Sequence, residues 1–356
     1  MIQKRLLFLR KLLKSFKQFV EYVLSDGGVV EVREYINTQM EKAQNASILQ
    51  IPSAFKTSVL YNQIPINPSE DFDVVRNSDV WRTNESGILE NIGVNVPCID
   101  YSDGFPVLLT QPQSTNLIIY SNDFSQSYWQ IVGIFKTLST TISPSGIQDA
   151  YKISEDTSTN NHYTRAGVTG ATIGERYVYS VYLKAAEYDK ANIRVLNGFS
   201  TTFIEFDLIN GTHNGTDEEA KIINVGNGWF RCIRFSDVSG VTSTSVIPYI
   251  YPSLTSSYTG DGVSGVYVWG AQIEQGTYAS TPIKSNGAVV TRLQDEVTGA
   301  GSTSTINSEE GVFVVNSAYL KTGLSSNNTI SIGDGTDNRI LFKYDNINAA
   351  FAVRMQ

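Results

Sequence analysis

The chain is predicted to be mainly β, with an antiparallel β-sandwich at its centre, and three observations indicate this. Strand-length runs such as 177–184 and 229–235 alternate apolar and polar residues, as strands with one solvated face require. Only 17% of the 356 residues are charged, against roughly 25% in average globular proteins. Turn-forming dipeptides recur without intervening helical periodicity, which argues against a βαβ fold; Asn-Gly stands at 197, 210, 214, 227 and 286, and Asp-Gly at 103, 261 and 334.

Two segments bracket the predicted sandwich. The first, residues 115–129, reads TNLIIYSNDFSQSYW, and the second, residues 266–283, reads VYVWGAQIEQGTYASTPI. The pair resembles the opening and closing strands of the carbohydrate-binding-module-like jelly rolls found in phage tail and fibre proteins. This resemblance implies a jelly-roll sandwich over residues 107–290.

The flanking segments extend the resemblance. Residues 71–101 look like the part that precedes such a sandwich in these virion proteins, so 51–106 is predicted to be a β-rich connecting segment. Residues 291–308 include the run TGAGSTST and are predicted to form a hinge. The remainder, 309–356, resembles the start of a laminin-G or concanavalin-like domain and has room for only about a third of one. Either symmetry-related copies complete its strands or the natural chain continues, and the second explanation is favoured.

Residues 1–50 are predicted to form a helical segment that oligomerises or anchors the chain. Its apolar residues are spaced alternately four and three positions apart, which is the heptad seam of a coiled coil. The seam consists of Ile2, Leu6, Leu9, Leu13, Phe16, Val20 and Val23. Further apolar residues widen the stripe, so a trimer, or docking onto other virion proteins, is favoured over a dimer. A helix lying on a membrane and an ordinary packed helix are the alternatives; recurring charges argue against a secretory signal or a transmembrane helix.

The charge of the chain is distributed unequally. Residues 1–24 carry six basic residues against Glu21 alone, a net charge of +5, which leaves −13 for the rest of a chain whose total is −8. An acidic body repels nucleic acid and anionic membrane surfaces. Nucleic acid is therefore not predicted as a partner.

The sequence lacks the parts of the common catalytic and metal sites. It has only two cysteines, of which Cys232 is predicted to be a buried free thiol, although a bridge to Cys98 is left open. Its two histidines, His162 and His213, stand in different segments, so neither a zinc cluster nor a Ser-His-Asp triad is predicted. Acidic pairs such as 218–219 send their side chains to opposite faces of a strand, which does not suit a glycosidase. We expect no metal, no cofactor and no enzymatic activity.

Sugar-binding sites combine aromatic rings with amide, carboxylate or guanidinium groups. The candidate ligand contacts are Tyr163, Arg165, Tyr182 and Tyr251, which lie on predicted strands. Together with the resemblance, they predict a bacteriophage virion structural protein, a tail or head fibre subunit anchored by its N-terminal helix, whose β-domains contact host surface glycans. The alternatives are a cell-surface or secreted bacterial carbohydrate-binding protein and a fibre-borne polysaccharide hydrolase. Against the hydrolase, the sequence shows neither the parallel β-helix repeat nor the acid pair that such an enzyme needs.

Overall fold

The computed structural model describes residues 46–354, except 65–66, 197–201, 238, 254–255, 303, 306–327, 334–338 and 345–348. The seam of the predicted N-terminal helix lies outside these ranges. Within them the chain is almost entirely strand and loop, with one 3-10 turn at Pro68–Glu70, and the paired strands run antiparallel. The predicted mainly β, antiparallel class is confirmed. No helix in the described ranges is both long and apolar enough to span a bilayer.

The strands that precede the sandwich form small sheets. They are β1 (Leu49–Lys56), β2 (Val59–Ile64), β3 (Phe72–Val75), β4 (Val80–Thr83), β5 (Leu89–Ile92), β6 (Ile99–Asp100), β7 (Val107–Leu108) and β8 (Ser114–Asn116). β4 pairs with β5 and β6 pairs with β7, whereas β1, β2 and β3 are consecutive strands of a four-stranded sheet. Leu60, Val74 and Ile99 form a buried cluster among them.

The sandwich contains the next fifteen strands. They are β9 (Trp129–Val132), β10 (Ile134–Leu138), β11 (Tyr151–Glu155), β12 (Thr159–Asn160), β13 (Tyr163–Ala166), β14 (Val168–Thr169), β15 (Tyr177–Ala185), β16 (Lys190–Leu196), β17 (Ile204–Asp207), β18 (Thr212–His213), β19 (Ala220–Asn224), β20 (Trp229–Phe235), β21 (Ser245–Tyr251), β22 (Tyr258–Thr259) and β23 (Gly265–Gln275). A six-stranded sheet has the order β10-β11-β23-β15-β20-β19. A seven-stranded sheet has the order β18-β17-β16-β21-β13-β9, with β14 also paired to β21.

The main hydrophobic core contains one face of each large sheet. Tyr179, Val181 and Leu183 of β15 contribute to it from the six-stranded sheet, and Ile193 and Ile250 contribute from the seven-stranded sheet. Each of these side chains is fully buried. Burying one large apolar side chain contributes about 1.5–3 kcal/mol, so this core dominates the stability of the sandwich.

The two bracketing segments lie side by side in the fold. The Leu117 amide donates to the Ile273 carbonyl at 2.8 Å. The Asn116 side chain bonds the middle and the end of the closing segment: its Oδ1 accepts from the Ile273 amide at 3.1 Å, and its Nδ2 donates to the Ile283 carbonyl at 2.8 Å. Asn116 is fully buried, so these hydrogen bonds satisfy an amide that burial would otherwise leave unpaired.

The chain beyond the sandwich pairs back onto earlier strands. β24 (Val290–Arg292) pairs with β8, and β25 (Glu296–Thr298) pairs with β3 to complete the four-stranded sheet. The predicted hinge at 291–308 therefore starts with two paired strands, and a hinge can begin no earlier than Thr298. Within the predicted final domain, β26 (Asn328–Gly333), β27 (Arg339–Tyr344) and β28 (Ala349–Arg354) form a three-stranded antiparallel sheet.

Candidate functional site

The outer faces of the two large sheets differ. The outer face of the six-stranded sheet is buried: Tyr182, Trp229 and Trp269 form a cluster with Leu89 of β5, and Trp81 packs against that cluster. A second cluster, of Val178, Ile233 and Phe235, lies on the same face. The described hydrophobic clusters include none on the outer face of the seven-stranded sheet. That face carries buried and half-buried polar and aromatic side chains instead.

Strand register brings residues distant in sequence together on this second face. In β13 and β21 the pair Arg165 and Tyr249 stand opposite each other, and Arg165 is also opposite Gln130 of β9. On the other side of β21, Arg194 of β16 stands opposite Tyr249. Residues directly opposite each other on a sheet have Cβ atoms about 5 Å apart, so these side chains form one continuous row.

A second row of the same face is aromatic and amide in character. Asn192 of β16 stands opposite Tyr251 of β21, and the Tyr163 ring lies 5.1 Å from the rings of both Tyr249 and Tyr251. The rings of Tyr249 and Tyr251, two residues apart on one strand, lie 6.2 Å apart and nearly parallel. We call this surface the tyrosine–arginine face; its members are Tyr163, Arg165, Asn192, Arg194, Phe203, Tyr249 and Tyr251.

Hydrogen bonds and ring contacts hold the two arginines of this face. Arg165 donates from Nη1 to the Tyr249 hydroxyl at 2.9 Å and from Nε to Oε1 of Gln130 at 3.0 Å. Its guanidinium carbon lies 5.6 Å from the centre of the Tyr249 ring. The guanidinium carbon of Arg194 lies 5.8 Å from the same ring and 5.2 Å from the ring of Phe203. The hydrogen bond that Arg165 donates to the Tyr249 hydroxyl raises the pKa of Arg165, so this side chain is always a cation.

The exposure of the face decides what it can contact. Tyr249 and Tyr251 are 6% and 4% exposed, so neighbouring side chains cover most of their rings, whereas Tyr163, Arg165 and Arg194 are only half-buried. Burial raises the pKa of Tyr251, which keeps its hydroxyl a neutral hydrogen-bond donor at physiological pH. The surface that a ligand meets therefore consists of the half-buried Tyr163 ring and two guanidinium groups, with the half-buried Phe203 ring beside Arg194.

Three of the four predicted contacts meet on this face and one does not. Tyr163, Arg165 and Tyr251 lie together, whereas Tyr182 lies on the other sheet, 2% exposed beneath the β4–β5 hairpin, with its ring 5.2 Å from that of Trp269. Tyr182 packs that sheet and does not join the candidate site. Arg194 and Phe203 belong to the face but were not among the predicted contacts.

The two cysteines are buried and have no reactive role. Cys98 and Cys232 are both buried free thiols, which confirms the prediction for Cys232 and excludes the bridge between them. Burial raises the pKa of both, to about 12 for Cys98, so neither is a reactive thiolate. Among the described residues no three histidine, cysteine or acidic side chains cluster in a way that suits a metal ion.

Glu155 is buried but accepts hydrogen bonds from the hydroxyls of Tyr188 and Tyr258, at 2.7 Å and 2.5 Å, and so secures neighbouring loops.

Comparisons with known proteins give distant structural similarity. No protein-family model matches the chain, and no curated protein sequence matches it. Among solved structures, the enzymatically active domain of tailspike protein 4 of bacteriophage CBA120 is 12% identical, with a TM-score of 0.29 over 45% of this chain and 21% of the tailspike chain.

Two carbohydrate-binding modules are similar at the same distant level. The CBM22-1 xylan-binding domain of Paenibacillus barcinonensis Xyn10C is 13% identical, with a TM-score of 0.24 over 47% of this chain and 94% of that domain. The mannan-recognising module TmCBM27 is 10% identical, with a TM-score of 0.24 over 47% of this chain and 97% of that module. The chain is therefore distantly similar in structure to a phage tailspike domain and to carbohydrate-binding modules.

Proposed function

We propose that the sandwich is a non-enzymatic glycan-binding domain and that the chain is a structural subunit of a bacteriophage tail or head fibre. The observation that carries the glycan-binding part is the tyrosine–arginine face. It is an outer sheet face without a described hydrophobic cluster over it, and it combines aromatic rings with guanidinium and amide groups. The virion part rests on the resemblance of residues 71–129 and 266–283 to phage fibre proteins.

The chemistry of the face suits a sugar. An aromatic ring packs against the apolar C–H face of a pyranose, while guanidinium and amide groups bond its hydroxyls. Tyr163 supplies the ring, and Arg165 is already held in place by Gln130 and Tyr249. A binding group that is fixed before the ligand arrives loses less entropy on binding, which favours recognition by a small site.

A single shallow site of this kind binds weakly, with a dissociation constant on the order of 0.1–1 mM after the costs of ordering and desolvation. Several copies in one fibre would raise the avidity. This is the role proposed for the N-terminal seam of residues 2–23, which would join copies of the chain and anchor them to other virion proteins.

The test of glycan binding is an array of host surface polysaccharides probed with the full chain, followed by titration of any ligand found. Tyr163→Ala should weaken binding about fivefold to tenfold, because it removes the accessible ring. Tyr61→Ala, which truncates an exposed tyrosine of β2, is the matched control and should bind normally. If the full chain binds no host glycan, the glycan-binding proposal is wrong.

The virion assignment is tested separately. Purified phage particles and host cells labelled with an antibody against the chain should show label on the particles in electron micrographs. Label confined to the cell envelope would instead support the alternative, a bacterial cell-surface carbohydrate-binding protein.

A further inference from the structure

We infer that the tyrosine–arginine face binds an acidic glycan, one whose sugars carry carboxylate groups, in preference to a neutral glycan. This inference rests on the proposed function and specifies its ligand class. It follows from the placement of Arg165 and Arg194, the partners they have, and the charge that they leave uncompensated on the face.

The two guanidinium groups flank one tyrosine. Arg165 lies on β13 and Arg194 on β16, and both strands are direct neighbours of β21, which carries Tyr249 between them. Two strand spacings separate their backbones by about 9.5 Å. Their guanidinium carbons are 5.6 Å and 5.8 Å from the Tyr249 ring centre. The face therefore presents a pair of cations on either side of a ring.

Neither cation is neutralised by a carboxylate of the described residues. Some other cations of the described residues have an acidic partner at 2.7 Å, for example Arg76 with Asp295 and Arg82 with Glu90. Arg165 instead donates hydrogen bonds to two uncharged groups, and Arg194 contacts aromatic rings. Two guanidinium groups without ion-pair partners among the described residues give this part of the face a positive charge on a protein whose net charge is −8.

Two acidic side chains of β17, Glu205 and Asp207, lie on the same outer face, opposite Asn192 and Lys190 of β16. Glu205 of β17 forms an ion pair with Lys190 of β16 at 2.6 Å. The Lys190–Glu205 pair cancels its own charge, so two guanidinium groups remain against the carboxylate of Asp207. Both β17 carboxylates lie on the other side of β16 from β21, so a ligand over β13 and β21 meets the two guanidinium groups first.

The guanidinium group is the side chain best matched to a carboxylate. Its N–H groups lie in a planar fork that can donate two parallel hydrogen bonds to one carboxylate, and charge-assisted bonds are stronger than neutral ones. Arg165 uses one Nη1 bond and its Nε bond within the protein, so its orientation is set while other donors of the fork remain. A neutral glycan over the same face would partly desolvate two cations without supplying a counter-charge, which is unfavourable.

The experiment uses the full chain on an array of acidic bacterial polysaccharides, each printed beside its derivative with the carboxylates reduced to alcohols. Reduction removes the charge and keeps the sugar ring and its linkages. We expect binding to at least one acidic polysaccharide and a loss of at least about tenfold on its reduced form.

Variants then assign the effect to the two arginines. Arg165→Gln and Arg194→Gln should each weaken binding to the acidic form about tenfold and leave the reduced form nearly unaffected. Lys152→Gln changes the net charge equally on the other sheet, where Lys152 pairs with Glu187, and should bind normally. Arg165→Lys keeps the charge without the fork and should be intermediate. Thermal melting of each variant checks that the sandwich is folded.

The outcomes separate this inference from the proposed function. Equal binding to acidic and reduced polysaccharides, or a preference for neutral ones, would overturn the acidic preference and leave glycan binding intact. Unchanged binding of the acidic form by both arginine variants would also overturn it. Failure of the chain to bind any glycan would overturn the proposed function, and this inference with it.

Discussion

Gly270 shows how a single residue shapes the sandwich. It lies inside β23, the longest strand of the described chain, with φ of +63°, and it falls where the register between β15 and β23 shifts between Ser180 and Tyr182. A bulge of this kind needs a residue that accepts positive φ. The Tyr182 ring also packs closely here: a Cβ at position 270 would lie 2.9 Å from its Cδ2 atom. Both conditions select glycine.

We expect Gly270→Ala to lower the free energy of unfolding by about 2–4 kcal/mol, through positive φ and the contact with Tyr182. Gly87→Ala is the matched control, because Gly87 has φ of +76° but open space around its Cβ position. Gly87→Ala should lower the free energy of unfolding by about 1–2 kcal/mol, because only the positive φ penalises alanine there. Urea denaturation measures both. Equal losses in the two variants would show that the Tyr182 contact contributes nothing.

The sequence could predict part of the candidate site at this scale. Alternation with period two selected Tyr163, Arg165 and Tyr251 on their predicted strands, and the structure brings these three together on one face. The same alternation selected Tyr182, because period two does not tell which sheet a strand joins or what covers that sheet. Arg194 was missed because its position depends on the pairing of β16 with β21, a long-range contact without a local signal.

At the scale of elements, one buried ion pair joins the strands before the sandwich to those after it. Arg76, which follows β3, donates from Nη1 to Oδ1 of Asp295, between β24 and β25, at 2.7 Å. Arg292 lies 3.9 Å from the other carboxylate oxygen, which also accepts the Gln111 amide at 2.8 Å. The three charged side chains are at most 2% exposed. This arrangement explains why the start of the predicted hinge forms paired strands. The sequence could not show it, because the glycine, serine and threonine content indicates a linker, whereas the buried partner of Asp295 is set by tertiary contacts.

We expect Asp295→Ala to lower the free energy of unfolding by about 3–5 kcal/mol, because it leaves two buried arginines without their counter-charge. Glu205→Ala is the control: it removes an ion pair of similar length, 2.6 Å, at an exposed site, and should cost at most about 1 kcal/mol. Chemical denaturation of both variants provides the comparison. A loss for Asp295→Ala no larger than that of the control would mean that the buried pair does not hold these elements together.

At the scale of the whole molecule, the proposed function combines a weak binding site with oligomerisation, which presents several copies of that site together. One face with two half-buried rings and two cations offers few contacts, so its useful affinity depends on the number of faces that a particle presents together. The strands of the sandwich were predictable because their alternation and turns are local signals. That the seam of residues 2–23 sets the number of chains that assemble remains a prediction from spacing alone.

The heptad spacing of the seam predicts the oligomeric state of the chain. Seven large apolar side chains at heptad positions would be left in water on a single chain, so we expect the full chain to be an oligomer, with a trimer favoured by the width of the apolar stripe. Deleting residues 1–24 should give a smaller species by light scattering and lower the apparent affinity for a glycan-coated surface about 10²-fold or more, since multivalent binding is lost. Leu9→Lys with Leu13→Lys should have the same effect, whereas Lys4→Ala with Lys11→Ala, outside the seam, should leave assembly intact. A full chain that is monomeric at micromolar concentration would contradict the seam, and the avidity expected of the fibre would then need another source.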